Sequence, residues 1–189
     1  MFITMLKSNP QLFFMQIFLV VFSVCCHEYA HAQVALWEGD TTARDEGHLT
    51  LNPLKQMGTL SLVLLAFIGI AWGMVPVNPQ RMRRRLSPLL VSLAGPVTNL
   101  LLYIMFTVLF YVYITSQGIP TSKIYSHNAA LLFFLGAILN LVLFVFNMLP
   151  VPPLAGSLAI VWVVAVVGRS LLSLARWLAA WRARRLKRA

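Results

Sequence analysis

The sequence predicts an all-α integral membrane protein, a polytopic helical bundle with a re-entrant or extended element between its first two full spans. Its 189 residues are 59% hydrophobic and only 11% charged, whereas typical soluble domains carry about 25% charged residues. Several apolar segments reach the ~20 residues that cross the hydrocarbon of a bilayer. The length suits a single membrane-embedded domain over residues 1–189, with a core at 10–157 and a C-terminal apolar and basic helix at 158–189.

The basic residues give a formal net charge of +10 and cluster at the ends of the apolar segments. This distribution suits anionic lipid headgroups and the setting of membrane topology. Because aromatic and basic residues do not alternate as they do in RNA-binding surfaces, no nucleic-acid partner is predicted.

The first span is predicted from Gln11 to Trp37, and it contains the motif His-Glu-x-x-His at residues 27–31. Side chains at positions i and i+4 of a helix share one face, so His27 and His31 can hold two corners of a tetrahedral zinc site. Glu28 is placed to act as the general base for an attacking water. Two packed histidines are the alternative, but ionisable residues within a span are costly and usually functional. The motif therefore predicts a zinc site.

A re-entrant element is predicted after the first span. The polar stretch from Glu38 to Gln56 has the composition of an exposed loop, with extended pieces around residues 48–51. The apolar run Gly58–Ala71 is then short for a span, and runs of that length are more often re-entrant or buried. The segment Trp72–Pro79 contains prolines and cannot stay helical for long.

Two further full spans are predicted, Pro88–Ile114 and Ala129–Leu149. The third span ends in residues 147–156, whose three prolines break the helix into extended backbone. Such backbone is tolerated at membrane depth only inside the protein or along a cavity. The last apolar segment, Ser157–Ala180, is consistent with either a weak span or an interfacial basic helix.

The distribution of cations selects between two topologies. Five crossings would divide the Lys and Arg residues almost evenly between the two sides. Three full spans with a re-entrant element leave only Lys7 and Lys123 outside, and 13 of the 15 cations inside. We therefore predict the second arrangement, in a prokaryotic cell membrane, with the active site toward the cytoplasmic side.

Three motifs in this order resemble the site-2 protease family. They are the motif at residues 27–31, Ala-Gly-Pro-Val-Thr-Asn at 94–99, and Asn-Met-Leu-Pro-Val-Pro-Pro-Leu-Ala-Gly at 147–156. Members of this family (peptidase family M50) are zinc metalloproteases that cleave substrates within the membrane. Residues 47–53 and 73–79 are similar to its small prokaryotic branch, so the resemblance extends over about residues 10–157.

The resemblance implies a role for each site residue. His27 and His31 would bind Zn²⁺, Glu28 would be the general base, and Asn147 would steady the substrate carbonyl or oxyanion. The alternative for Asn147 is a helix-end residue that bonds a free carbonyl. Residues 48–51 and 75–78 would pair with an unwound membrane protein or peptide substrate as added strands.

One position departs from the family pattern, because Ala155 stands where the family has an aspartate as the third zinc ligand. A methyl group cannot bind zinc, and all five acidic residues lie within the first 46 positions. His127 lies at the wrong end of the third span, which leaves His48, Asn147 or a water as substitutes. Three explanations stay open: a deliberate inactivating substitution, a natural relative without proteolytic activity, or a compensating ligand.

The sequence thus predicts an intramembrane zinc metalloprotease that hydrolyses peptide bonds in or near transmembrane segments and is impaired by Ala155. The alternative is a proteolytically dead membrane adaptor that binds transmembrane segments without cutting them. A zinc transporter fits less well, because transporters usually carry several intramembrane acids and often internal repeats.

Overall fold

The structure is a computed structural model and describes residues 2–120, 124 and 127–148. The regular elements within these ranges are helices, and no strand occurs there, which confirms the prediction of an all-α membrane protein. The α-helices are α1 (Thr4–Ser8), α2 (Pro10–Trp37), α3 (Thr42–Asp45), α4 (Pro53–Gln56), α5 (Gly58–Ile68), α6 (Ser87–Ser116) and α7 (Asn128–Met148), with a 3₁₀ turn at Pro79–Arg81.

Three of these helices, α2, α6 and α7, are long and apolar enough to cross a membrane. Their bounds lie within one or two residues of the three predicted full spans. The start of α2 has a clear local cause: the Asn9 side chain accepts a hydrogen bond from the Leu12 N–H at 3.0 Å, and Pro10 occupies the first helical position. A capping side chain of this kind stabilises a helix by about 1 kcal/mol.

Pairs of contacts fix the directions of the three long helices. Ser87 at the start of α6 donates to Glu38 at the end of α2, while Asn99 further along α6 reaches His27. Helices α2 and α6 are therefore antiparallel. Asn140 of α7 bonds Ser23 of α2, and Asn147 further along α7 lines the same cavity as Glu28 of α2, so α7 runs alongside α2 in the same direction. The C-terminal ends of α2 and α7 consequently lie on one side, as predicted.

Helix α5 and the chain that follows it form the predicted re-entrant element. Eleven residues of helix extend only about 16 Å, roughly half the hydrocarbon thickness. The helix ends at Gly69, whose φ of +86° lies in the left-handed region that favours glycine. Residues 69–78 then return without regular structure, and we call this segment the extended return.

The extended return is hydrogen-bonded to the helix that it follows. The Ser61 hydroxyl donates to the Trp72 carbonyl and accepts from the Trp72 N–H, both at 2.8 Å. The Met74 N–H donates to the Gln56 carbonyl at 3.0 Å, so the chain comes back to the start of α5. These bonds satisfy backbone groups that lipid cannot solvate.

A buried carboxylate joins the loop after α2 to the end of the extended return. Asp40 has no exposed surface and accepts hydrogen bonds from the Thr42 N–H, the Thr42 hydroxyl and the Asn78 N–H. Burial disfavours its ionised form, but these hydrogen bonds and the charge of Arg81 outweigh burial and hold the pKa of Asp40 below its usual value. The loop and the entry to α6 are therefore tied together.

The apolar core lies between the long helices and α5. It includes the buried side chains Leu19, Leu65, Phe106, Leu135 and Leu143. Many large apolar side chains of α6 point outward, as a lipid-facing surface requires. The break at 150–156 with Ala155 and the predicted C-terminal helix at 158–189 lie outside the described residues.

Candidate active site

The two motif histidines meet on one face of α2, as their spacing predicts. Their Nε2 atoms are 3.0 Å apart and their ring centroids 4.7 Å apart. His27 is buried, with 9% of its surface exposed. We call His27 and His31 the histidine pair.

The Nδ1 atoms of the histidine pair face hydrogen-bond acceptors on α6. His27 Nδ1 bonds Asn99 Oδ1, and His31 Nδ1 bonds the Val91 carbonyl at 2.6 Å. Carbonyl oxygens only accept, so each Nδ1 carries the ring proton and each Nε2 keeps its lone pair. The two facing Nε2 atoms are then both acceptors, an arrangement that a cation between them would stabilise. Metal-binding histidines are held in this way, and both Nε2 atoms can lie ~2.0–2.1 Å from one zinc ion. The histidine pair therefore fits two of the ligand positions of a zinc site.

A glycine of α6 provides the space for the histidine pair. A Cβ atom built at Gly95 would overlap the Nε2 atoms of both rings. Any larger residue at this position would occupy the place where the two lone pairs point. The glycine of the Ala-Gly-Pro motif is thus part of the site.

Glu28 lies beside the histidine pair and lines a cavity with His27 and Asn147. The extended return forms another wall, because a Cβ atom at Gly73 would overlap the Glu28 carboxyl group. The cavity is lined by Val24, His27, Glu28, Ala71, Trp72, Gly73, Leu143 and Asn147. Three of the four predicted site residues therefore line one cavity. The fourth, His31, lies next to His27, which is one of the lining residues.

Asn147 lines the cavity and is hydrogen-bonded within its own helix. Its Nδ2 donates to the Leu143 carbonyl at 2.7 Å, as a residue near a helix end would. An amide nitrogen has two N–H groups, and the described residues bond only one of them. Its role in catalysis stays a prediction.

The described residues supply two nitrogen ligands and no third one. No group of three His, Cys, Asp or Glu side chains that could hold a metal occurs among them. His48, which the sequence left open as a ligand, therefore does not join the histidine pair there. Ala155, the predicted third-ligand position, lies outside the described ranges, and zinc remains a prediction.

Three buried polar residues that sequence reasoning did not assign to the site form a hydrogen-bonded chain, and one of them, Asn99, contacts His27. Asn99 Nδ2 donates to Asn140 Oδ1 at 3.0 Å, and Asn140 Nδ2 donates to Ser23 Oγ and to the Gly136 carbonyl, both at 2.9 Å. We call Ser23, Asn99 and Asn140 the polar network. None of the three has exposed surface. The available signal was that polar side chains within apolar spans usually have a function.

Comparison with known proteins points to metalloproteases. The chain is similar to a protein of Bacillus subtilis named "Putative zinc metalloprotease YwhC", with 41% identity over 140 residues, or 72% of this chain and 63% of that protein. It is similar to "Putative zinc metalloprotease Rip2" of Mycolicibacterium smegmatis, with 34% identity over 141 residues, or 71% of this chain and 51% of that protein. The Mycobacterium tuberculosis protein of the same name is 33% identical over 145 residues, or 73% of this chain and 52% of that protein.

The chain spans between about half and two-thirds of the length of these relatives. No model of a known protein family matches it. No solved structure matches it either.

Proposed function

We propose that this chain is a member of the site-2 protease family of zinc metalloproteases, and that its activity is the zinc-dependent hydrolysis of peptide bonds in or near transmembrane segments. The observation that carries the proposal is the histidine pair, with both Nδ1 atoms facing carbonyl oxygens and both Nε2 atoms facing one another at 3.0 Å. Packing alone would not favour two unprotonated nitrogens in that arrangement.

Each residue of the cavity would have a separate role in hydrolysis. His27 and His31 would hold zinc, which would supply a Lewis acid for the scissile carbonyl. Glu28, buried beside them, is placed to take the proton of an attacking water and to return it to the leaving amine. The free N–H of Asn147 would donate to the negative charge that develops on the carbonyl oxygen.

The substrate would enter in an extended conformation. Residues 69–78 already run as irregular backbone past Glu28. An unwound membrane peptide could add to this backbone as residues 75–78 were predicted to allow. Such a peptide presents its carbonyls to the cavity, whereas a helical segment keeps them bonded.

Ala155 would leave this chain impaired, because no described side chain replaces the missing aspartate. The test is to measure zinc content and cleavage of a transmembrane peptide by the purified chain and by Ala155→Asp. We expect the chain itself to hold far less than one zinc and to cleave weakly, and Ala155→Asp to hold about one zinc and cleave.

Glu28→Gln in the Ala155→Asp background is the matched control, since it should keep zinc and lose cleavage. Full activity of the chain as it stands would contradict the impairment. An Ala155→Asp variant that gains zinc but never cleaves would instead favour the second candidate, an adaptor that binds transmembrane segments. That candidate is favoured by one observation, the alanine at position 155 where the family has an aspartate.

The membrane setting follows from the three long apolar helices. The cytoplasmic orientation of the site rests on the distribution of cations, with 13 of 15 expected inside. Membrane protein substrates and the surrounding lipid are the partners that this location implies.

A further inference from the structure

The two histidines of the pair are oriented by different kinds of acceptor. The acceptor for His31 is the backbone carbonyl of Val91, which cannot donate and cannot rotate away within α6. The acceptor that faces His27 Nδ1 at close range is the side-chain oxygen of Asn99, and the backbone of Gly95 is a second hydrogen-bond partner of the His27 ring. An amide side chain can turn over and present its NH₂ group instead. Something must therefore hold Asn99 in the orientation that accepts.

The contacts of the polar network determine this orientation step by step. The Gly136 carbonyl is an acceptor only, so the Asn140 atom that faces it must be the NH₂ group. Asn140 Oδ1 then faces Asn99 and requires a donor. Asn99 must offer its NH₂ group there and its oxygen to His27. Turning either amide over would bring two buried acceptors together, which is costly where no water can help.

We propose that Asn140 is a positioning residue for His27: through Asn99 it fixes the proton on Nδ1 and keeps the Nε2 lone pair directed toward His31. The inference rests on the proposed function only in taking that lone pair as the zinc ligand. It assigns a role to a residue of α7 that does not touch the histidine pair itself.

Ser23 provides the matched control. It accepts from the same Asn140 NH₂ group and is equally buried. Its hydroxyl can donate or accept, so it does not determine the direction of the amide. Ser23→Ala leaves the Gly136 carbonyl in place and should leave the His27 proton where it is.

The test is ¹⁵N NMR of histidine-labelled, metal-free protein at about pH 8, where ordinary imidazoles are neutral. The chain has four histidines, and a His27→Gln sample assigns the His27 signals. In the parent chain we expect a protonated Nδ1 and an unprotonated Nε2 for both members of the pair. In Asn140→Leu, or Asn140→Ala if the leucine variant does not fold, His27 should become a mixture of both tautomers. His31 serves as the internal reference and should not change.

Rescue separates positioning from loss of packing. In Asn99→Asp the side chain next to His27 is an acceptor in either orientation, so the double variant with Asn140→Leu should restore the single tautomer. In the Ala155→Asp background, zinc affinity measured by competition with a chelator should fall ~10–100-fold on adding Asn140→Leu, the range for partners of metal ligands. It should recover in the double variant.

Two results would overturn the proposal: an unchanged His27 tautomer in Asn140→Leu, or an equal change in Ser23→Ala. Because the spectra are taken without metal or substrate, they stand whether or not the chain proves to be a protease.

Discussion

At the scale of single residues, the site depends on two backbone positions without side chains. Gly95 faces the histidine pair, and Gly73 faces Glu28. The motif at 27–31 can be recognised from its helical spacing, which is a local property of the sequence. The glycines and Asn140 become meaningful only through contacts between residues far apart in the chain, for example 117 positions between Ser23 and Asn140. A single sequence cannot reveal such pairs, which explains why the polar network was missed.

Replacing Gly95 with alanine should abolish tight metal binding. The added methyl group would overlap both Nε2 atoms, and we expect zinc affinity in the Ala155→Asp background to fall at least about tenfold. Alanine favours a helix by about 1 kcal/mol over glycine, so weaker helix formation would not explain the loss. Chelator competition measures the affinity.

Val97→Ala is the control for that substitution. Val97 lies two residues further along α6 and is exposed, so its truncation does not alter the space beside the histidine pair. It should leave zinc affinity nearly unchanged. Wild-type zinc affinity in Gly95→Ala would contradict the described packing of α6 against the histidines.

At the scale of elements, the three spans were predictable because the length of each apolar segment can be read from the sequence. The short length of α5 predicted a re-entrant element, and the structure bears this out. The sequence did not reveal how the extended return is held. Its bonds to Ser61 and Gln56 join segments whose pairing follows no periodic pattern.

Ser61→Ala should loosen the extended return. The substitution leaves the Trp72 N–H and carbonyl without their described partner, at an expected cost of about 1–3 kcal/mol. Limited proteolysis in detergent should then cut within residues 69–78 faster than in the parent. Ser92→Ala is the control, because it removes only the bond from an exposed hydroxyl to the Pro88 carbonyl of the same helix. The protease should cut this variant at the same rate as the parent. Equal rates in all three proteins would show that Ser61 does not hold this segment.

Asp40→Asn should weaken the junction between α2 and α6. An amide can replace the carboxylate only in part, because its NH₂ group would face donors, and we expect a loss of about 1–3 kcal/mol. The folded pKa of Asp40 is lowered, so its ionisation stabilises the fold above the unfolded value of about 3.9. This contribution disappears as pH falls through the folded pKa.

The corresponding measurement is thermal unfolding in detergent between about pH 3 and pH 7. The parent should lose stability below about pH 4, and part of that loss should be missing in Asp40→Asn. Glu46→Gln, at an exposed loop position, should follow the parental curve. Identical acid profiles of parent and Asp40→Asn would refute the role of the carboxylate.

At the scale of the whole molecule, the up-down-up order of α2, α6 and α7 brings Glu28 and Asn147 to one cavity. The alternating helix directions follow from three consecutive full spans with a re-entrant element between the first two, the arrangement that the charge distribution favoured over five crossings. The position of Ala155 relative to this cavity was less predictable, because a proline-rich segment lacks the regular side-chain spacing from which the faces of a helix or strand are predicted. The single-domain assignment likewise stays a prediction.

The topology predicts opposite labelling of two loops. With Cys25 and Cys26 replaced by alanine, Gln117→Cys at the end of α6 should react with an impermeant maleimide on intact cells. Glu46→Cys should react only after the cells are permeabilised. Labelling of both positions from the same side would contradict the bundle, whereas a reversed result would change only its orientation.

The limited depth of α5 has a consequence for the cell. At the far end of α5, the Ile3 N–H bonds the Phe67 carbonyl, and Phe2 packs over Gly69. Apolar residues such as Leu19 and Leu65 fill the space between that end and the histidines. In the described part of the chain, this apolar packing lies between the cavity and the far end of α5. Hydrolysis at the proposed site would then be compatible with an intact ion gradient across the bilayer.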